Sequence, residues 1–224
     1  MNNMSLKAIL KKILTEQNPL VLRRRSRMRQ ALENTAPTFL CPNCIGGILF
    51  HDLGLQFCSP TVNTMMNQRD FVKFVLDLDH YLARDLEFFD HPEHAFPCAK
   101  LDDVTVHFTH YHTEAEAREK WKTRAQRIDR ENLFVFLTER DGLTEEEIRS
   151  ISNIQSRGLL VFTAKSYPDI PYALQISKYE SVGEVGNILA KSWLDGSREY
   201  EKYFDFVKWF NEADGSFDIS NFKK

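Results

Sequence analysis

Two cysteines two residues apart, Cys41 and Cys44, lie in the stretch FLCPNCIGGILF (Phe39 to Phe50), and four chemistries suit them. The pair could ligate zinc, cycle as a thiol–disulfide couple or supply one nucleophile, while Gly46 and Gly47 could let a backbone turn cradle an anion. A zinc site needs two further ligands. No second C-x2-C pair exists, Cys58 and Cys98 stand alone, and scattered residues such as His51 or His110 would have to complete the set, so no metal is expected. For a redox couple the location is suitable, but two glycines directly after the pair do nothing to lower a thiol pKa. If TFLCPN is a strand and ILFHDL begins a helix, Asn43, Cys44, Gly46 and Gly47 sit at the carboxyl end of a sheet. Open α/β folds bind ligands there, on free helix N–H groups. The same residues also suit a tight turn around a small buried cysteine.

A second group lies in LDDVTVHFTHYHTEAEAREKWKTRAQRID (101–129). Val104, Val106, Phe108 and His110 fall on one face of a strand by period two, which puts His110 at its carboxyl end. Trp121, Arg124 and Arg127 recur every three residues along the next helix. An imidazole that titrates near neutrality, beside two fork-like donors, suits an anionic substrate and an acid or base step. The competing structural uses are a solvated arginine face paired with Glu116 or Glu119, and a core anchor for Trp121.

The elements that must position these residues alternate. TFLC, VTVHF, LFVFLT and GLLVFT have strand length and β-branched or aromatic content, and longer helical stretches separate them, notably RDFVKFVLDLDHYLARDLEFF and EAEAREKWKTRAQRI. The pattern predicts an α/β fold, a mainly parallel sheet flanked by helices in a Rossmann-like sandwich. Thr144 with Glu147 three residues later is a capping-box helix start, and REYEKYFDFVKWFN reads as a last helix with Tyr200, Phe204, Val207 and Phe210 on one side. Asp77-Leu78-Asp79 has the D-x-D spelling of a metal motif, but it falls inside a helical pattern and reads as a solvated face.

With 224 residues the chain can bury one sizeable core. The net charge of −3 conceals an asymmetry: residues 1–30 carry eight basic side chains and one acid, and the rest is acidic. We therefore divide the chain into a basic helical arm, 1–34, and an α/β domain, 35–224. In the arm Leu6, Ile9, Leu10, Ile13 and Leu14 recur at helical spacing with lysines on the flanks, as in helices that lie on anionic membrane surfaces and in helices that cap a domain. There is no apolar run of spanning length and no secretory cleavage pattern, so a cytoplasmic protein, peripheral at the inner face of the membrane, is expected. No aromatic-rich basic groove accompanies the arm, and nucleic acid is not expected.

CPNCIGG, with SPT at Ser59 to Thr61, LDDVTVHFTHY, EAEAREKWKTRAQRI and NLFVFLTERDG, resembles the DUF1919 family over about residues 36–165. Cys41 and Pro42 depart from the family's usual Ser and Asn. Because the family keeps Cys44 without the cysteine at position 41, the resemblance speaks against shared redox or zinc use of the pair. It implies an α/β fold, contacts from Ser59 and Thr61, and association with bacterial capsule, lipopolysaccharide or exopolysaccharide synthesis. On that basis the expected partner is a glycan precursor or an activated sugar or acyl donor. A transferase (glycosyl, acyl or phosphoryl) with His110 and Cys44 as catalytic groups stands against a binding module without chemistry. With no third residue assigned to orient His110, a ligand-lining Cys44 beside Asn43 is slightly favoured over a nucleophile.

Overall fold

LFVFLT and GLLVFT are apolar on both alternating sets of positions, which suits strands covered on both faces. In the computed structural model, which describes residues 18–224, they form the centre of a four-stranded parallel sheet. Its strands are β1 (Thr38–Leu40), β5 (Leu133–Thr138), β6 (Gly158–Thr163) and β7 (Ala173–Gln175), in the order β1-β5-β6-β7. Leu133, Val135 and Leu137 feed one core and Phe134 and Phe136 the other. The second core is aromatic: Phe39, Phe134, Phe136 and Phe162 pack against helix α7 (Phe206–Glu212), where the Trp209 ring lies 4.9 Å from Phe134.

Between β1 and β5 the chain makes one long excursion. It runs through α2 (Ile45–Leu53), α3 (Gln68–Leu76) and α4 (Leu78–Leu82) into a separate antiparallel sheet of β2 (Glu87–Phe89), β3 (Cys98–Leu101) and β4 (Val104–His107). It returns through α5 (Glu114–Ala125). The expectation of an α/β fold with a mainly parallel sheet holds, with two local corrections. VTVHF belongs to the small antiparallel sheet, and the EFF of the long helical stretch is β2, because Asp77 (φ −130°) breaks the helix and Leu82 ends it. Asp77-Leu78-Asp79 thus spans a helix junction, and Asp79 pairs with Arg130. The capping box at Thr144 and Glu147 starts α6 (Glu145–Ser150). The last expected helix is split into a 3-10 turn, Glu199–Lys202, and α7, yet Tyr200, Phe204, Val207 and Phe210 are all buried.

Helix α1 (Pro19–Ala31) buries Val21 alone, and it is held by charge. Arg24 and Arg25 reach the carboxylate of Asp52, each at 2.8 Å, Arg24 also chelates Glu201, and Arg29 Nε donates to Asp52 O at 2.9 Å. These arginines tie α1 to the domain. The apolar stripe from Leu6 to Leu14 lies outside the described residues. Among the described residues no helix is long and apolar enough to cross a membrane.

Candidate functional site

Three segments meet beyond the carboxyl end of β1: the turn Cys41–Cys44, the loop Ser59–Met66, and the chain leaving β4. Backbone hydrogen bonds stitch them together. Met65 and His107 exchange both N–H···O bonds at 2.8 and 2.9 Å, and Met66 N–H donates to Pro42 O at 2.9 Å. Phe108 through Tyr111 then turn away from β4, with Tyr111 N–H on Phe108 O, so His110 lies just past the strand that period two assigned to it. Thr113 caps α5 by accepting the Glu116 N–H at 3.1 Å.

At this junction Cys44 Sγ and His110 Nε2 are 3.3 Å apart. Cys44 is half-buried and His110 exposed, so the pair is open to solvent on the imidazole side. Burial pushes the Cys44 thiol above its ordinary range, offset in part by hydrogen bonding with the Thr109 side chain. The resting sulfur is therefore a thiol, and where His110 carries its ring proton on Nδ1 the S–H donates to Nε2. The sequence slightly favours a ligand-lining Cys44 because no third residue is assigned to orient His110; the contact places a base within reach of the sulfur and leaves that third position unassigned.

The turn itself is occupied by its own bonds. Asn43 Oδ1 accepts the Ile45 N–H at 3.0 Å, and Cys41 Sγ accepts the Gly46 N–H at 3.2 Å while donating to Asn43 O. Two of the helix N–H groups expected to hold an anion are thus already used. Cys41 is fully buried and its thiol is pushed up to about 12. It acts as the serine-like capping group of the turn, and all four cysteines are free. Among the described residues no group of three or more His, Cys, Asp or Glu side chains is placed to hold a metal ion.

Gly46 and Gly47 are required by close approach. A Cβ on Gly46 would stand 2.9 Å from Cys41 Sγ, and one on Gly47 2.5 Å from Asn63 Oδ1. Asn63 has a left-handed backbone (φ 63°), and its carbonyl accepts from the Thr109 hydroxyl at 3.4 Å. Asn63 and Thr109 are site residues that the sequence reading missed. An asparagine tolerates φ > 0, but nothing local announced it.

Ser59 and Thr61 are both 0% exposed. Their hydroxyls pair at 2.8 Å, and Thr61 Oγ1 accepts the Cys41 N–H at 3.3 Å, so they frame the turn from behind. Arg124 is buried too. Its Nη1 donates to Val62 O at 3.0 Å and to the Tyr111 hydroxyl at 2.5 Å, and Tyr111 OH donates to the same Val62 carbonyl. Arg127, beyond the end of α5, donates to Phe57 O at 3.1 Å. The arginines hold the segment that carries Asn63. Trp121 is a core anchor between Phe74 and Phe108, at ring distances of 5.9 and 6.0 Å.

The comparison that decides the family is a match of residues 17–211 to the profile described as Domain of unknown function (DUF1919). The chain belongs to the DUF1919 family. A relative in Haemophilus influenzae, described as an uncharacterized protein, is 38% identical over 186 residues, covering 83% of this chain and 89% of its own. The match takes in every element of this DUF1919 chain from α1 to most of α7, and with them the whole of the candidate site.

Proposed function

We propose that this DUF1919 protein is a transferase of bacterial surface-polysaccharide synthesis that moves an acyl group through Cys44 on to a glycan precursor. The observation that carries the reading is the 3.3 Å contact of Cys44 Sγ with His110 Nε2 on a solvent-open edge beyond β1. Of the glycosyl, phosphoryl and acyl alternatives, acyl transfer makes the most direct use of a thiol with a neighbouring base. Cys44 Sγ attacks the acyl carbon of an activated donor while His110 Nε2 takes the thiol proton. The bond to the leaving group breaks, the leaving group collects that proton, and a thioester remains. An acceptor hydroxyl then gives its proton to His110 and attacks the thioester carbonyl. The C–O bond forms, the C–S bond breaks, and the proton returns to sulfur.

The setting in surface-glycan synthesis rests on the family resemblance, and peripheral attachment to an anionic membrane rests on the lysines of residues 1–17. A binding module without chemistry is favoured by one observation, the upward shift of the Cys44 thiol, which leaves it protonated at neutral pH. Intact-mass measurement after exposure to a panel of acyl thioesters and acyl phosphates separates the two. The transferase reading expects an adduct on Cys44 that hydroxylamine releases and that His110→Gln slows by about 10²-fold or more, the usual worth of a general base. Donors that bind without any adduct in the unmodified protein would establish the module instead.

A further inference from the structure

Arg124 is 8% exposed and among the described residues has no carboxylate within ion-pairing distance. Its charge is met by a carbonyl, a phenol hydroxyl and the faces of Phe57 and Tyr111, at 5.1 and 5.9 Å from the guanidinium carbon. A buried cation without an anionic partner is costly, and neutral acceptors and ring faces offset only part of that cost. Both hydrogen bonds use Nη1. Among the described residues Nε and Nη2 have no acceptor, and Arg124 lines a cavity of about 370 Å³ between Leu55–Phe57 and α5.

Arg127 and Lys120 line the same cavity. Arg127 spends one amino group on Phe57 O, leaving the rest of its fork uncommitted. Glu119 is the one acid of the lining, and Lys120 Nζ neutralises it at 2.9 Å. Three cations against one acid leave the lining with a net charge of +2, although Glu119 also acts on Arg124, and the planar guanidinium donors match the oxygens of a phosphate.

We propose that this cavity is an anion site in which Arg124 and Arg127 clamp the phosphate or pyrophosphate group of a phosphorylated ligand. The site deepens the transferase reading by naming the substrate class, a phosphate-bearing donor or precursor, and it rests on that reading for its biological use. It also has a consequence for the neighbouring chemistry. Arg124 grips Val62 O, and Asn63, one residue on, packs on Gly47 and Thr109 beside Cys44. Filling the cavity fixes the arginine that fixes this loop.

Calorimetric titration of the full chain with inorganic pyrophosphate, with no acyl donor present, tests the site without depending on catalysis. Saturable binding is expected, weakened about tenfold by Arg127→Gln through loss of charge-assisted bonds. Arg127 is exposed and makes a single protein hydrogen bond, so this variant keeps the fold even if Arg124→Lys loosens the loop. Parallel arms with a nucleoside diphosphate and with vesicles containing phosphatidate tell a soluble source of the phosphate from a lipid one. No binding in any arm, or binding that Arg127→Gln leaves unchanged, overturns the proposal. An acyl adduct on Cys44 can appear or fail independently of either result.

Discussion

Replacing Asp52 by Asn tests the claim that charge, and not apolar packing, fastens α1 to the domain. The substitution keeps the shape of a side chain that is 6% exposed and removes the carboxylate on which Arg24 and Arg25 converge. Breaking a buried ion pair costs about 3 to 5 kcal/mol because the surviving charge is left unmatched. Here Arg24 keeps Glu201, and the two arginine side chains remain 12% and 15% exposed, so part of the penalty is relieved by solvent. The expected loss is about 2 to 3 kcal/mol, read from urea unfolding at neutral pH. Burial alone would raise the Asp52 pKa, but hydrogen bonding and charge from Arg24, together with the charge of Arg25, hold it below 3.8. A carboxylate depressed on folding contributes stability that is fully present above its unfolded value and disappears as pH falls through the folded one. The gap between wild type and variant must therefore narrow in acid below the ordinary carboxylate range. A loss under about 0.5 kcal/mol, the usual worth of a surface pair, or a gap that persists undiminished in acid, would refute the reasoning.

His107, with its pKa lowered by burial and by the charges of His94 and His91, and with Asp70 pulling the other way, contributes stability that is full above pH 6.5. That contribution is lost as pH falls from there toward the folded value, so the melting temperature should drop across mild acid, and His107→Gln should flatten the profile. Co-sedimentation with anionic vesicles should weaken with salt and depend on Lys7, Lys11 and Lys12 at about 1 kcal/mol each, because Arg24, Arg25 and Arg29 are spent on the domain. Equal binding to neutral vesicles would remove the membrane proposal.

The central strands were legible because LFVFLT and GLLVFT are apolar throughout their interiors, a pattern that suits a doubly covered strand. The capping box and the buried face of the last helix were legible for the same local reasons. EFF was hidden in a helical stretch because three residues give no period. Cys44 and His110 could each be nominated by type and expected position, but their contact depends on the Met65–His107 and Met66–Pro42 bonds between distant segments. Ser59 and Thr61 illustrate the converse: residues with the chemistry of substrate contacts can be consumed by framing the site, and spacing does not separate the two uses.

Strands β1 and β5 are neighbours in the sheet although residues 41–132 lie between them. Closing so long a loop costs chain entropy before any contact rewards it, and contacts between such distant residues slow folding. The pairs β5–β6 and β6–β7 join nearby segments, whereas β1, with three residues in register, pairs only across the long loop. Cys44 follows β1 by four residues and meets His110 only when the excursion between them is in place. The appearance of the Cys44–His110 contact therefore reports the closure of that excursion.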